Sequence, residues 1–261
     1  MVSRERNGAL GWKVTSPPIA DSVAGGIANP IGLAAALSWE VRPLLGRRRG
    51  VRKDGRIFSF LAGETPVHLV VTGVGAENAY RGARELLDRF PVRGLMAIGF
   101  AGALADSLVP GDLVLADHVF DQRTGERFAC SEIWPVAKAL RGGLLGATEF
   151  VASAVEKRSL AAEWGAVAVD MESAGVARAA AESHVHFAAI KAITDSSMQS
   201  ISFDFARCRS EHKGLSYWKL IREGMRTRQT IRDVWMLARG ALAASGALAA
   251  ALDSAELRGK R

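Results

Sequence analysis

The stretch Ala166–Asp195, AVAVDMESAGVARAAAESHVHFAAIKAITD, decides how the rest of the chain is read. It opens on alternating Ala and Val closed by Asp170, which predicts a buried strand. SAGVARAAAE follows, small residues with helical preference, and then HFAAIKAITD, an apolar inner strand that ends on Asp195. Strand, helix and strand in succession is the unit from which parallel sheets are built.

The rhythm recurs upstream. IGLAAAL (31 to 37) reads as a short buried strand, and SWEVRPLL after it as a turn and helix start. IFSFLAG and VHLVVTGVG read as a hairpin about GETP. AENAYRGARELLDRF places Ala79, Ala83, Leu86 and Leu87 at helical spacing, and GLMAIGFAGAL is another buried strand ending in glycines. PGDLVLADHVF and LRGGLLGATEF add two more strands. The whole predicts an α/β fold, a three-layer αβα sandwich with a mixed, largely parallel central sheet. Its ligand site should lie beyond the carboxyl ends of the strands. Glu40, the glycines Gly99 and Gly102, Glu172 and Asp195 all fall at such ends.

Composition sets the bounds. The chain has 261 residues, 49% of them hydrophobic, enough for one sizeable core but not two. Residues 1–29, with their Gly, Ser, Pro and charged residues and no signal-like apolar run, read as a flexible tail. Residues 30–200 form the expected core, and 201–261 a basic amphipathic helical region packed on the core or extending it. Cys130 and Cys208 stand far apart, which argues neither a disulfide framework nor a zinc site and suits a reducing cytoplasm.

There are 34 Lys and Arg against 27 Asp and Glu, a net charge of +7. The excess is local. Arg47 to Arg56 holds six basic residues and one acid and reads as a solvated loop, while Phe205 to Arg239 holds nine basic residues against three acidic ones. Aromatic and aliphatic residues interleave with the second group. That pattern suits peripheral membrane contact, or a C-terminal helix that packs its apolar face on the domain. Val234 to Leu252 is apolar but rich in Ala and Gly and interrupted by Arg239, so no membrane span is expected. Nucleic acid is not an expected partner, because neither basic cluster carries a recognition motif.

For chemistry, neither GVGAEN nor GFAGAL completes a dinucleotide fingerprint, and there is no P-loop. His184 and His186 would share one face of a strand but lack further ligands, so no metal site is expected. Asp170 is placed to cap the helix after it. Glu40, Glu172 and Asp195 remain: separated carboxylates able to grip a sugar diol, activate water and protonate a leaving group. Those are the needs of glycosidic cleavage.

The order of motifs resembles the purine nucleoside phosphorylase and uridine phosphorylase superfamily, most closely its methylthioadenosine/S-adenosylhomocysteine nucleosidase branch. The matching pieces are IGLAAALSWEV (31 to 41), TGVGAENA (72 to 79), AIGFAGAL with VPGDLVLAD (97 to 117), ATEFV (147 to 151), AVAVDMESAGVA (166 to 177) and AIKAITDSS (189 to 197). Past Asp195 the chain departs from the nucleosidases: SFDFARCRSEHKG and its Trp-bearing basic tail look like the hopanoid-associated phosphorylase subgroup.

The resemblance implies cleavage of a 5′-substituted adenosine, adenosylhopane in that subgroup, with a soluble methylthioadenosine/S-adenosylhomocysteine nucleosidase as the alternative. A basic nucleic-acid-binding module and a membrane-docked, non-catalytic scaffold are the readings from other classes. The resemblance makes Asp195 the acid that protonates the purine, a role that burial of its carboxyl would favour. It makes Glu172 the holder of the ribose hydroxyls, Met171 a sugar contact, Phe150 the ring stacked on the base and Val151 a source of backbone groups for the purine edge.

Glu40 matches the carboxylate that activates water. The Arg and Ser of the phosphorylases' phosphate site are here Ala97 and Phe100, so Phe100, with Gly102 beside it, lines a reshaped pocket. Arg42 and Arg81 are the candidates to hold phosphate instead. Phe203, Phe205, Tyr217 and Trp218 are candidates to line an apolar exit for the 5′ substituent. No metal or organic cofactor is implied, inorganic phosphate is the conceivable co-substrate, and a homo-oligomer is expected. The location implied is the cytoplasm, with contact to the inner membrane face.

Overall fold

The strand Gly94–Ala103, GLMAIGFAGA, organises the sheet. In a computed structural model, the chain is described over residues 14–15, 30–136, 138–201 and 228–254. The strands are β1 (Val14–Thr15), β2 (Ile31–Ala35), β3 (Arg52–Asp54), β4 (Ile57–Ala62), β5 (Thr65–Val71) and β6 (Gly94–Ala103). They continue with β7 (Leu113–Asp121), β8 (Arg127–Ala129), β9 (Leu140–Gly146), β10 (Ala166–Asp170) and β11 (His186–Asp195). The helices are α1 (Ser38–Gly46), α2 (Ala76–Arg89), α3 (Ala154–Trp164), α4 (Ser173–Glu182) and α5 (Arg228–Ser254).

β6 has three partners. Along one edge it runs parallel to β11 from Gly94 to Gly102. Along the other it is parallel to β2 as far as Ala97, then antiparallel to β10 at Gly102 and Ala103. The change of partner happens around Gly99, whose φ of +133° is open to glycine and strained for other residues. β11 also pairs antiparallel with β7, β7 pairs parallel with β9, and β9 parallel with β10. Five strands, β6–β10–β9–β7–β11, therefore close into a ring, and β2, β5, β4 and β3 extend from it as an open wing. The sheet is mixed, as the sequence indicates; the closure is an addition.

Helices cover both faces. α2 and α4 pack together on one, α2 with Ala79, Ala83 and Leu86 over β2 and β5 of the wing, and α4 with Val176 and Ala180 over the ring strands. α1 and α5 pack on the other, where Val41, Leu44, Ala244, Leu248 and Leu252 bury against Met96, Ile98 and Ile190. α5 includes Arg232–Asp253, long and apolar enough by length and composition to cross a membrane. Its inner face is nevertheless core, and Gly240 lies so close to the Thr194 carbonyl that a side chain would not fit. The C-terminal half of α5 runs down the sheet toward Asp253, which pairs with Arg47 and Arg48 below α1. The N-terminal half consequently rises past the carboxyl end of β11, by about 18 Å at 1.5 Å per residue.

Two local expectations are corrected. The basic run Arg47–Arg56 is not all loop: Arg52–Asp54 forms β3 on β4, and Arg48 lies over the Phe60 ring. Exposed Arg and Lys on a short edge strand keep other chains from pairing there. His184 and His186 do not share a strand face. His184 sits in the turn before β11 with φ +54°, and His186 is the first residue of the strand.

Candidate active site

The change of partner along β6 leaves a notch between the end of β2 and the start of the β10 pairing, and three carboxylates converge on it. Glu40, in the first turn of α1, reaches in so that its Oε2 would lie 3.0 Å from a Cβ on Gly99. Its other restraint is local, since the Leu37 amide donates to Oε2 at 3.0 Å. Asp195, the last residue of β11, is in register with Gly102, and its Oδ2 would lie 3.1 Å from a Cβ there. Glu172, two residues past the end of β10, accepts the Gly75 amide at 2.8 Å, where the N-terminus of α2 favours negative charge. Gly99 and Gly102 thus keep β6 bare where carboxylates approach.

Two buried lysines stand among these acids. Lys191, in register with Gly99 on β11, is 2.7 Å from Asp170 Oδ2 and donates to the Ile98 carbonyl at 3.4 Å. Asp170 also accepts the amide and hydroxyl of Ser173 at the start of α4, the capping role expected of it. Lys157 of α3 is fully buried and pairs with Asp195, while donating to the carbonyls of Ser196 (2.8 Å) and Gln199 (3.2 Å). Thr194 donates its hydroxyl to Asp195 Oδ1 at 2.7 Å.

The electrostatics follow from burial and company. Burial, reinforced by Glu172, pushes the Glu40 carboxyl up to about 8. Burial and then Asp170 push Glu172 up to about 7. Burial alone would depress the Lys191 ammonium, but Asp170 and Glu172, with Glu40, outweigh it and hold it above the ordinary lysine range. Asp195 is buried, as the sequence suggests, and a buried ammonium, that of Lys157, touches it.

Phe100 lies beside Gly99 with its ring 5.1 Å from that of Trp39 on α1, edge to face. Met171 lies between Asp170 and Glu172 and is half-buried; Phe150 is half-buried and Val151 buried in the segment between β9 and α3. The structure therefore brings Glu40, Phe100, Gly102, Met171, Glu172 and Asp195 to one end of the sheet. It does not bring in the two arginines. Arg42 is exposed two residues past Glu40, about 200° around α1. Arg81 is exposed on α2 and donates to Asn78 at 2.9 Å. Phe203, Phe205, Tyr217 and Trp218 lie outside the described residues. Among the described residues no cluster of His, Cys, Asp and Glu has the form of a metal site.

Lys157 and Lys191 are the site residues that sequence reasoning missed. Lys191 leaves a trace in the text, a lone charge inside the apolar run FAAIKAI, four residues and hence one strand face from Asp195. Lys157 leaves none, since an Arg follows it in a helix that reads as ordinarily polar.

Carboxylates and buried cations gathered at a break in a mixed α/β sheet define a small-molecule site. The sequence pattern of the phosphorylase superfamily matches residues 30–139 and 126–212, and the chain belongs to that superfamily. It is 30% identical over 149 residues to the purine nucleoside phosphorylase DeoD-type of Streptococcus pneumoniae, a match spanning 50% of this chain and 63% of that protein. Less than two thirds of that relative's length is thus covered.

In fold it is similar to the S-adenosylhomocysteine nucleosidase of Streptococcus pyogenes, with a TM-score of 0.65 at 18% identity over 87% of this chain and 97% of that one. The futalosine hydrolase of Helicobacter pylori is similar too, with a TM-score of 0.62 at 17% identity over 87% and 98%.

Proposed function

We propose that this protein cleaves the N-glycosidic bond of a 5′-substituted adenosine and releases adenine, with water as the acceptor and adenosylhopane as the substrate. One observation carries the reading: Glu40 and Asp195 reach the notch in β6 at Gly99 and Gly102, and Glu172, held by the Gly75 amide, is near enough to raise the Glu40 carboxyl. Asp195 gives its proton to a purine ring nitrogen as the bond electrons pass to the base. Glu172 accepts hydrogen bonds from the ribose hydroxyls, which steadies an oxocarbenium-like sugar. Water then attacks the anomeric carbon and yields a proton to the ionised form of Glu40, whose share grows as pH rises toward about 8, and solvent exchange returns the two carboxyls to their starting states. Phe150, Val151 and Met171 hold base and sugar.

Water is favoured over phosphate because Arg42 and Arg81 lie away from the notch, and Lys191 is already surrounded by carboxylates. The lipid-like 5′ substituent and membrane contact draw support from α5. Its outer face exposes Trp235, Leu242, Arg232 and Arg239, with the Arg239 guanidinium 4.7 Å from the Trp235 ring centre. A face with aromatic and aliphatic groups edged by Arg suits the cytoplasmic surface of a bilayer. The superfamily resemblance adds the expectation of a homo-oligomer.

The test is adenine release from adenosylhopane and from methylthioadenosine, each with and without phosphate and with and without anionic vesicles. Phosphate-independent release of the free sugar, faster for adenosylhopane on vesicles, is the expected result. Equal release from methylthioadenosine without any vesicle effect would favour the soluble nucleosidase, the reading to which the S. pyogenes fold likeness lends support. Ribose-1-phosphate as product would remove Glu40 from its role, and no adenine from either substrate would overturn the proposal.

A further inference from the structure

We infer that Lys157 is a positioning residue for the acid step: its ammonium holds the Asp195 carboxyl in place and stabilises the carboxylate that Asp195 becomes when the base leaves. This rests on the proposed function, in which Asp195 is the acid. The geometry is unusually committed for a lysine. Lys157 has no solvent exposure, and its three donors are spent on Asp195 Oδ2, the Ser196 carbonyl and the Gln199 carbonyl. One acceptor, Asp195, ends β11, and the other two belong to the segment that follows it. The same segment is tied to the start of α3 at two more points, Ala154 N to Ser200 Oγ (3.0 Å) and Ile201 N to Ala152 O (2.9 Å). Packing alone does not explain an ammonium there, because burying a charge is unfavourable unless partners offset the lost hydration.

What the pair can do follows from charge balance. The proposed reaction starts with a proton on the Asp195 carboxyl. As the C–N bond breaks, its electron pair goes to the purine, the proton moves from Asp195 to a ring nitrogen, and the base departs neutral. The negative charge left on Asp195 appears beside a fixed, buried cation, where such stabilisation is large and needs no reorganisation. Lys157 has no free donor for the substrate, so it acts through Asp195 alone.

The charged groups around Asp195 are few among the described residues. Lys157 comes from α3, and Asp106, from the β6–β7 connection, accepts the Ser197 hydroxyl at 2.6 Å. Glu40, Glu172, Asp170 and Lys191 occupy the neighbouring strand ends. α5 contributes Gly240, which meets Thr194.

The experiment is the pH profile of kcat for adenine release by the full chain and by Lys157→Met, Lys157→Gln and Lys157→Arg, each also in the Asp195→Asn background. Lys157→Met is expected to lower the plateau of kcat about 100-fold, the scale of losing one preorganised electrostatic partner. KM should change less than about threefold, and the alkaline limb should move up by about one pH unit or more, since an acid without its cation keeps its proton longer. Lys157→Arg should restore the limb and most of kcat. Lys157→Gln, which can still donate to the two carbonyls, reads the same limb if the Met variant does not fold.

A loss of kcat with an unmoved limb in both neutral variants would overturn the inference. So would an equal loss on adding Lys157→Met to Asp195→Asn, because the lysine would then not act through the acid. Full activity of Asp195→Asn alone is a different result, and it would sink the proposed function itself.

Discussion

Lys157 and Lys191 are both buried and both pair with an aspartate at a strand end, yet their surroundings differ in charge. Lys157 meets one carboxylate and two carbonyls, a balanced set. Lys191 meets Asp170 and feels Glu172 and Glu40 as well, so one cation faces three acids. Buried negative charge in excess cannot be sustained, and the surplus is relieved by protons held on Glu40 and Glu172 up to about 8 and about 7. The contrast separates two tasks within a single notch. At Asp195 the structure supplies a buried counter-charge, which the proposed acid step would use. At Glu40 and Glu172 it leaves carboxyls whose protonation changes near neutral pH.

Four measurements would break or sharpen that contrast. Asp195→Asn keeps the shape and the Thr194 contact but removes the proton, so kcat for adenine release should fall about 100- to 10,000-fold, the range for loss of a general acid. Its denaturation midpoint in urea should move less than its rate suggests. Lys191→Met leaves three carboxyls without their cation. Breaking a buried pair this way costs about 3–5 kcal/mol, measurable by urea unfolding at pH 7, and the loss should shrink at pH 5 as the acids take up protons.

Glu40→Gln should act in the opposite direction. The folded state holds the Glu40 proton between the ordinary carboxyl value of 4.5 and about 8, whereas the unfolded chain has released it. Stability therefore falls as pH rises through that window, by about 1.4 kcal/mol per unit for one group. A glutamine keeps the neutral form at all pH, so the variant should be more stable than the parent at pH 8 by a few kcal/mol and nearly equal to it at pH 4.5. Thermal unfolding at the two pH values would show a flat difference if Glu40 were solvated instead. The smallest effect is expected at the surface: Arg42→Ala and Arg81→Ala should each change kcat/KM less than about threefold, with or without phosphate, by virtue of their exposure. A tenfold loss confined to phosphate-containing assays would return these arginines to the site.

Much of this was legible in the sequence, and the rest was hidden for physical reasons. The unit Ala166–Asp195 announces itself because strand and helix periodicities are local, and carboxylates that close apolar strands are conspicuous. Glu172 and Asp195 were visible that way, and Glu40 as the acid soon after an apolar strand, although the structure places it in the first turn of α1. The ring closure was not, since pairing β7 with β11 joins residues far apart in the chain, and no local pattern encodes which edge finds which. Arg42 illustrates the opposite error. It lies two residues from Glu40 in the text, and helical geometry turns it out of the notch.

The ring of β6, β10, β9, β7 and β11 has one last consequence. An open sheet can fray from its edge strand inward, whereas a closed one offers no first strand to peel. The notch is built on strands of this seamless wall, so Gly99 and Gly102 hold station with respect to Asp195 while substrate comes and goes. Around the wall stand the first turn of α1 with Trp39 and Glu40, and α5, whose Gly240 meets Thr194.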